Sequence, residues 1–168
     1  MKTLHQDRYQ SPLGEIVIIA DGAELCYLDF ADNAQRLDKL LRARYRRFRL
    51  ADAPDALGLR ARLDAYFAGD WNAFDGVAIN SGGTDFQRAV WRGLRRIPVG
   101  RTISYQQLAQ RLNRPSAVRA AASANARNPI SIIVPCHRVI GADGSLRGYA
   151  GGVHRKSWLL THEGAMLA

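Results

Sequence analysis

Sulfur is scarce in this chain. Its 168 residues include two cysteines, Cys26 and Cys136, and two methionines. Two cysteines cannot build the disulfide framework of a small secreted domain, so the fold must be held by packing. No apolar run approaches the length that crosses a bilayer, and Met1-Lys2-Thr3-Leu4-His5 lacks the hydrophobic stretch of a signal peptide. These absences predict a globular protein of the reducing cytoplasm, and the 47% hydrophobic content is ordinary for one. Acidic residues are scarce in one half only. Residues 1–83 carry 11 Lys+Arg against 12 Asp+Glu, a net of −1, whereas residues 84–168 carry 13 against 3, a net of +10. Nearly all of that positive charge is arginine, whose planar fork suits phosphates and base edges. A polyanion, nucleic acid first, is the expected partner of the second half. The alternative is a solubilising surface.

The length allows one good core or two small ones. In the first half, Glu15 to Ala20, the turn pair Asp21-Gly22, and Leu25 to Phe30 predict a hairpin. A helix is expected from about Asn33 to Tyr45, with Leu37, Leu40, Leu41 and Tyr45 on one stripe, and another from Ala56 to Ala68, ended by Gly69. The domain boundaries are expected at 1–80 and 84–168, with Ser81-Gly82-Gly83 as linker. Thr84-Asp85-Phe86-Gln87 and Ser104-Tyr105-Gln106-Gln107 are capping-box patterns, each opening a helix. Pro98 and Gly100 stop the first of these helices.

The second, with Leu108 and Leu112 four apart, turns at Asn113-Arg114-Pro115-Ser116 into a third, from Ala117 to about Ala126. Two short helices with a tight turn between them make a helix-turn-helix candidate. The second of the pair is almost free of bulky side chains, so it can lie close against another surface. One such surface is a neighbouring helix. The other is a DNA groove, because Arg119, Ser123 and Arg127 recur every four residues and form a polar stripe.

Pro135-Cys136-His137-Arg138 follows the apolar run Ile130 to Val134, which reads as a buried strand. A free thiol is mostly protonated at neutral pH. A neighbouring base or positive charge raises its reactive thiolate fraction. His137 could be that base and Arg138 could supply the field, although a lone cysteine beside a strand is also a common core filler. Neighbours on an extended chain point opposite ways, so a Cys136–His137 relay needs a turn, which Pro135 favours, or a bridging water. Gly148-Tyr149-Ala150-Gly151-Gly152 offers either close backbone approach to a flat ligand or a flexible loop. Arg155 to Glu163 reads as a last helix with Trp158, Leu159 and Leu160 facing inward, which leaves Glu163 solvated by default.

These segments together resemble the O6-alkylguanine-DNA alkyltransferases. The likeness runs over essentially the whole chain and is strongest from Gly83 to Glu163. It is carried by Gly83 to Trp91, Ile103 to Ala109, Asn128 to Gly141 with Pro-Cys-His-Arg-Val at its heart, and Gly148 to Gly152. It implies a ribonuclease H-like α/β N-terminal domain, then a mostly α C-terminal domain with a winged-helix-like helix-turn-helix. It also implies a protein that flips O6-alkylguanine, with O4-alkylthymine as a second candidate, out of double-stranded DNA and takes the alkyl group irreversibly onto Cys136. In that reading His137 withdraws the thiol proton through a water and Glu163 orients the imidazole. Arg119 fills the space of the flipped base, Tyr105 turns the flanking phosphate, and Ala117, Val118, Ala122 and Ser123 complete the DNA-facing set. Asn128 braces the cysteine loop. Pro135, Val139, Tyr149 and Ala150 form the base pocket. Relatives usually have Val, Gly and Gly at positions 121, 122 and 126 and Ala at 118; here they are Ala121, Ala122, Ala126 and Val118. The zinc ligands of the mammalian form have no equivalents, so neither metal nor cofactor is expected. A monomer in solution is expected, with cooperative binding on DNA left open. The competing functions are a damage-binding protein without transfer, which would lack the cysteine, and a thiol hydrolase built on Cys136, His137 and Glu163.

Overall fold

The computed structural model describes residues 1–167, and the chain divides into two compact units, Met1–Gly82 and Gly83–Ala168. In the first unit the expected hairpin is β2 (Gly14–Asp21) and β3 (Glu24–Phe30). Two strands without a strong sequence signal join it: β1 (Lys2–Ser11) and β4 (Phe48–Asp52). The sheet order is β3-β2-β1-β4, with β4 parallel to β1 and the other pairs antiparallel. Helix α1 (Ala34–Tyr45) falls where its stripe of leucines predicts. Helix α2 (Leu59–Phe67) starts three residues later than expected, after Gly58 in a left-handed conformation.

The apolar run in β2 is continuous because both faces of the sheet are covered. Val17 and Ile19 pack with Leu4, Cys26, Tyr27 and Leu41 of α1. Successive side chains alternate across a strand, so Ile16 and Ile18 serve the opposite face, where Ile18 and Ala20 line a small cavity together with Leu57 and with Leu59 at the start of α2.

The second unit contains α3 (Asp85–Leu94), α4 (Tyr105–Arg111), α5 (Val118–Ala126) and α6 (Val153–His162). Both capping boxes are closed: Gln87 N–H donates to Thr84 Oγ1 and Gln107 N–H to Ser104 Oγ, each at 3.1 Å. Helix α5 packs against α3 and α4. Its Ala121 and Ala124 are buried there, and the Trp91 indole of α3 donates to the Ala124 carbonyl at 2.8 Å. A larger residue at either position would separate the helices. Gly83 serves α3 in a similar way. A Cβ there would lie 2.7 Å from the Trp91 ring, and its φ of +83° is a conformation that favours glycine.

Two short strands, β5 (Ile103–Ser104) and β6 (Val139–Ile140), pair in parallel. That ladder sets the chain just past Cys136 beside the start of α4, and it positions the site.

Candidate active site

The apolar run Ile130–Val134 is not the strand that its composition predicts. It is a buried turn, with Ile133 N–H donating to the Ser131 carbonyl at 2.8 Å and Val134 N–H to the Ile130 carbonyl at 3.1 Å. Ile132 takes φ +70°, a region that a β-branched residue enters only under constraint. Asn128 supplies that constraint. Its amide donates to the carbonyls of Ile130 (3.1 Å) and Val134 (2.8 Å), and its Oδ1 accepts from Ile130 N–H at 3.0 Å. The residue thus joins the end of α5 to the segment that carries the thiol. Hydrophobicity predicted the burial of this run but not its conformation, because side-chain hydrogen bonding from outside the run overrides strand propensity.

Cys136, His137 and Arg138 then form one 3₁₀ turn after the buried Pro135, with Arg138 N–H donating to the Pro135 carbonyl at 3.0 Å. This is the turn that adjacent thiol and imidazole require. Cys136 is 7% exposed and His137 fully buried.

Glu163 corrects the default reading of a solvated helix end. It is buried just past α6, 2.9 Å from His137 Nε2 through Oε2. Arg138 grips the same carboxylate from Nε (2.8 Å) and Nη2 (3.0 Å) and also donates to the Ile97 carbonyl at 2.7 Å. Burial alone would raise the Glu163 carboxyl, but hydrogen bonds and charge from His137 and Arg138 override it and hold the group well below the usual carboxylate range. Burial lowers the His137 imidazole against the opposing pull of Glu163, so the ring is neutral. A neutral ring facing a carboxylate through Nε2 carries its proton there. Nδ1 is then the basic nitrogen, and it is buried without a hydrogen-bond partner among the described residues. The arrangement can accept a proton beside a thiol.

Lys156 was not signalled as a site residue by its neighbours in sequence. It is fully buried on α6, and its ammonium donates to the carbonyls of Val139 (2.5 Å) and Arg147 (2.8 Å). Burial lowers its pKa to about 8, against an attraction to Cys136. The Tyr105 hydroxyl donates to the same Arg147 carbonyl at 3.0 Å. Burial and the nearby Cys136 raise the Tyr105 phenol above its ordinary value. Gly148 makes room for that phenol, since a Cβ there would stand 2.9 Å from the hydroxyl. Tyr149 is buried with its ring edge-on to His137, centroids 6.4 Å apart, whereas Ala150 is exposed.

Cys136, His137, Glu163, Tyr105, Val139 and Tyr149 therefore gather around one centre, and Lys156 and Arg138 join them. Arg119 and Ser123 are on the exposed face of α5, with Ala117, Val118 and Ala122 half-buried beside them. Buried Asn125 links that helix to the nucleophile turn, its amide 3.4 Å from the Cys136 carbonyl. Asn125 lies four residues past buried Ala121, a spacing that puts it on the packed side of α5.

Two family descriptions match consecutive parts of the chain: 6-O-methylguanine DNA methyltransferase, ribonuclease-like domain, over residues 4–80, and its DNA binding domain over residues 85–165. A methylated-DNA–protein-cysteine methyltransferase of Shigella flexneri is 45% identical over 170 residues, covering 99% of each chain. One from Mycobacterium bovis is 42% identical over 163 residues, covering 95% of this chain and 92% of its own. Among solved structures, Mycobacterium tuberculosis OGT in complex with DNA superposes with a TM-score of 0.81 at 40% identity, covering 96% of this chain and 93% of that one.

Proposed function

This chain belongs to the 6-O-methylguanine DNA methyltransferase family, and from that premise we propose that Cys136 is its alkyl acceptor. The protein repairs DNA by moving an alkyl group from a damaged base to its own cysteine. The observation that carries the assignment to Cys136 is the neighbouring His137, with Nε2 committed to Glu163 at 2.9 Å and Nδ1 left as a buried base.

The chemistry follows from those groups. His137 Nδ1 takes the Cys136 proton through a bridging water, and the ionised Glu163, gripped by Arg138, stabilises the imidazolium that forms. The thiolate attacks the alkyl carbon in line with the O6–carbon bond. A carbon–sulfur bond forms, the carbon–oxygen bond breaks, and its electron pair leaves on O6 as guanine is restored by protonation. The Lys156 ammonium, held by the Val139 and Arg147 carbonyls, supplies positive charge that attracts the Cys136 thiolate. A thioether has no easy leaving step, so each molecule acts once.

An alkyl group inside a base stack is out of reach of a buried sulfur, so the nucleotide must be extruded, at a cost of roughly a few kcal/mol. In this reading Arg119, exposed on α5, fills the vacated stack, with Ala117, Val118, Ala122 and Ser123 along the groove. Tyr105 moves from the Arg147 carbonyl to the flanking phosphate and the base. Pro135, Val139, Tyr149 and Ala150 bound the pocket, and Asn128 keeps the nucleophile segment in place. O4-alkylthymine is the second substrate in this reading, and the cytoplasm, where thiols stay reduced, is the compartment.

The test is intact-mass measurement after incubation with duplex containing O6-methylguanine. A gain of one methyl per protein, mapped by peptide sequencing to Cys136, is expected. Methylation at Cys26 would overturn the assignment.

A further inference from the structure

The near-neutral first unit conceals a sharp separation of charge. Residues 34–50 contain seven Lys+Arg and a single Asp, while the remainder of residues 1–83 holds four Lys+Arg and eleven Asp+Glu. Some of these cations are already engaged. Arg36 pairs with buried Asp29, Arg42 with Asp38, and Arg44 with the Asn80 carbonyl. Lys39, Arg46, Arg47 and Arg49 are exposed and have no carboxylate partner among the described residues. Among the described residues Arg49 meets only the Thr3 hydroxyl, at 3.4 Å. The last three lie at the end of α1 and the start of β4, the edge strand of the sheet.

Arg46 stands where glycine is the natural occupant. Its φ of 59° and ψ of −63°, with Arg47 N–H donating to the Tyr45 carbonyl at 2.6 Å, form the rare and strained type of γ-turn. Arg42 and Arg44 already complement the C-terminal dipole of α1, so Arg46 adds little on that account. Edge strands do carry cations against aggregation, but lysine is the usual choice. Three arginines, one held at the cost of backbone strain, suit the bidentate recognition of phosphate.

We propose that Arg46, Arg47 and Arg49 form a second phosphate-binding surface, on the N-terminal unit, that grips the sugar-phosphate backbone of duplex DNA. The proposal rests on the reading that alkylated duplex is the substrate. The surface holds the protein on DNA and takes no part in the transfer step.

The test compares three full-length proteins for affinity to undamaged duplex across a salt series. They are the wild type, the triple variant Arg46→Gly, Arg47→Gln, Arg49→Gln, and a control with Lys2→Gln, Arg8→Gln and Arg60→Gln. The control removes equal charge from cations already paired with Asp21, Glu15 and Asp7. The patch variant should bind about 10-fold or more weakly at low salt, and its log-affinity against log-salt slope should flatten by about 2 to 3, close to 0.9 per lost phosphate contact. The control should keep the wild-type slope. Reaction of Cys136 with free O6-alkylguanine base should be unchanged in all three, and Arg46→Gly alone should not lower the melting temperature. Equal losses in patch and control variants would overturn the proposal in favour of a general field effect. An unchanged slope in the patch variant would overturn it in favour of edge protection, as would a change in self-association with DNA affinity intact. If wild-type binding were itself insensitive to salt, the DNA reading would fall first.

Discussion

Neither Cys26 nor Cys136 forms a disulfide and both are buried, 1% and 7% exposed, yet their surroundings point to opposite chemistry. Cys26 sits in β3, packed with Leu4, Val17, Ile19, Tyr27 and Leu41. Burial pushes its thiol up to about 11, so it is a protonated core filler at neutral pH. Cys136 sits in a turn with a buried neutral imidazole next to it, a carboxylate and a guanidinium behind the imidazole, and a buried ammonium close by. Burial alone suppresses a thiol. What distinguishes the two is whether the buried neighbourhood contains a base and a positive charge.

The sharpest way to test this contrast is to exchange each sulfur for oxygen. Cys136→Ser should abolish alkyl transfer while leaving duplex binding intact, because a serine hydroxyl is far less nucleophilic at neutral pH. Mass spectrometry and a binding titration read the two effects. Any residual methylation at another residue would break the comparison at its root.

Next in size are the groups behind the thiol. His137→Ala should slow transfer about 10²- to 10⁴-fold, the usual worth of a positioned general base, and shift the pH profile of thiol alkylation to higher pH. Glu163→Gln should do the same and also destabilise the fold. It leaves the buried Arg138 guanidinium without its carboxylate, a loss of roughly 3–5 kcal/mol for a broken buried pair. Arg138 is 9% exposed and Glu163 fully buried in side chain, so solvent screens little of that loss. A rate defect without a change in the pH profile would remove His137 and Glu163 from the proton path.

Acid stability sharpens the same contrast. The folded imidazole of His137 is lowered, so the unfolded chain binds the extra proton first, and stability should begin to fall as pH drops below about 6.5. The folded Glu163 carboxyl is also lowered. Its contribution, complete above about 4.5, should be lost as pH falls further. Denaturant titrations between pH 7 and pH 3 should show both phases, and His137→Ala should remove the first. Lys156→Met should then shift the alkylation profile of Cys136 upward by less than the His137 substitution does, while the Val139 and Arg147 carbonyls lose their donor.

The smallest effect belongs to the other cysteine. Cys26→Ser should leave transfer unchanged and lower stability by roughly 1–3 kcal/mol, because a hydroxyl is placed in an apolar core. Thermal melting and a transfer assay on the same sample check it. A loss of transfer at unchanged stability would mean that Cys26 takes part in the chemistry.

The sequence by itself determined the local elements and singled out the candidate nucleophile. Two capping boxes, the Asp21-Gly22 hairpin turn and the leucine stripe of α1 are short-range patterns, and each element formed because its own residues specify it. Pro135-Cys136-His137-Arg138 named the thiol and its neighbour for the same reason. Strands β1 and β4 carried little signal, being polar and partly exposed, and they exist through pairing with distant partners. The turn at Ile130–Val134 required Asn128, and the ionised state of Glu163 required Arg138 and His137, 25 and 26 residues away. Lys156 lies on one stripe of α6 with Leu159, Leu160 and Glu163, at spacings of three, four and seven. That spacing puts the two charged residues on the face of the buried leucines, yet a glutamate at a helix end reads as solvated until the groups it meets are known. Only the tertiary structure decided that, because a buried charge takes its state from groups close in space, and proximity in space is not written in proximity along the chain.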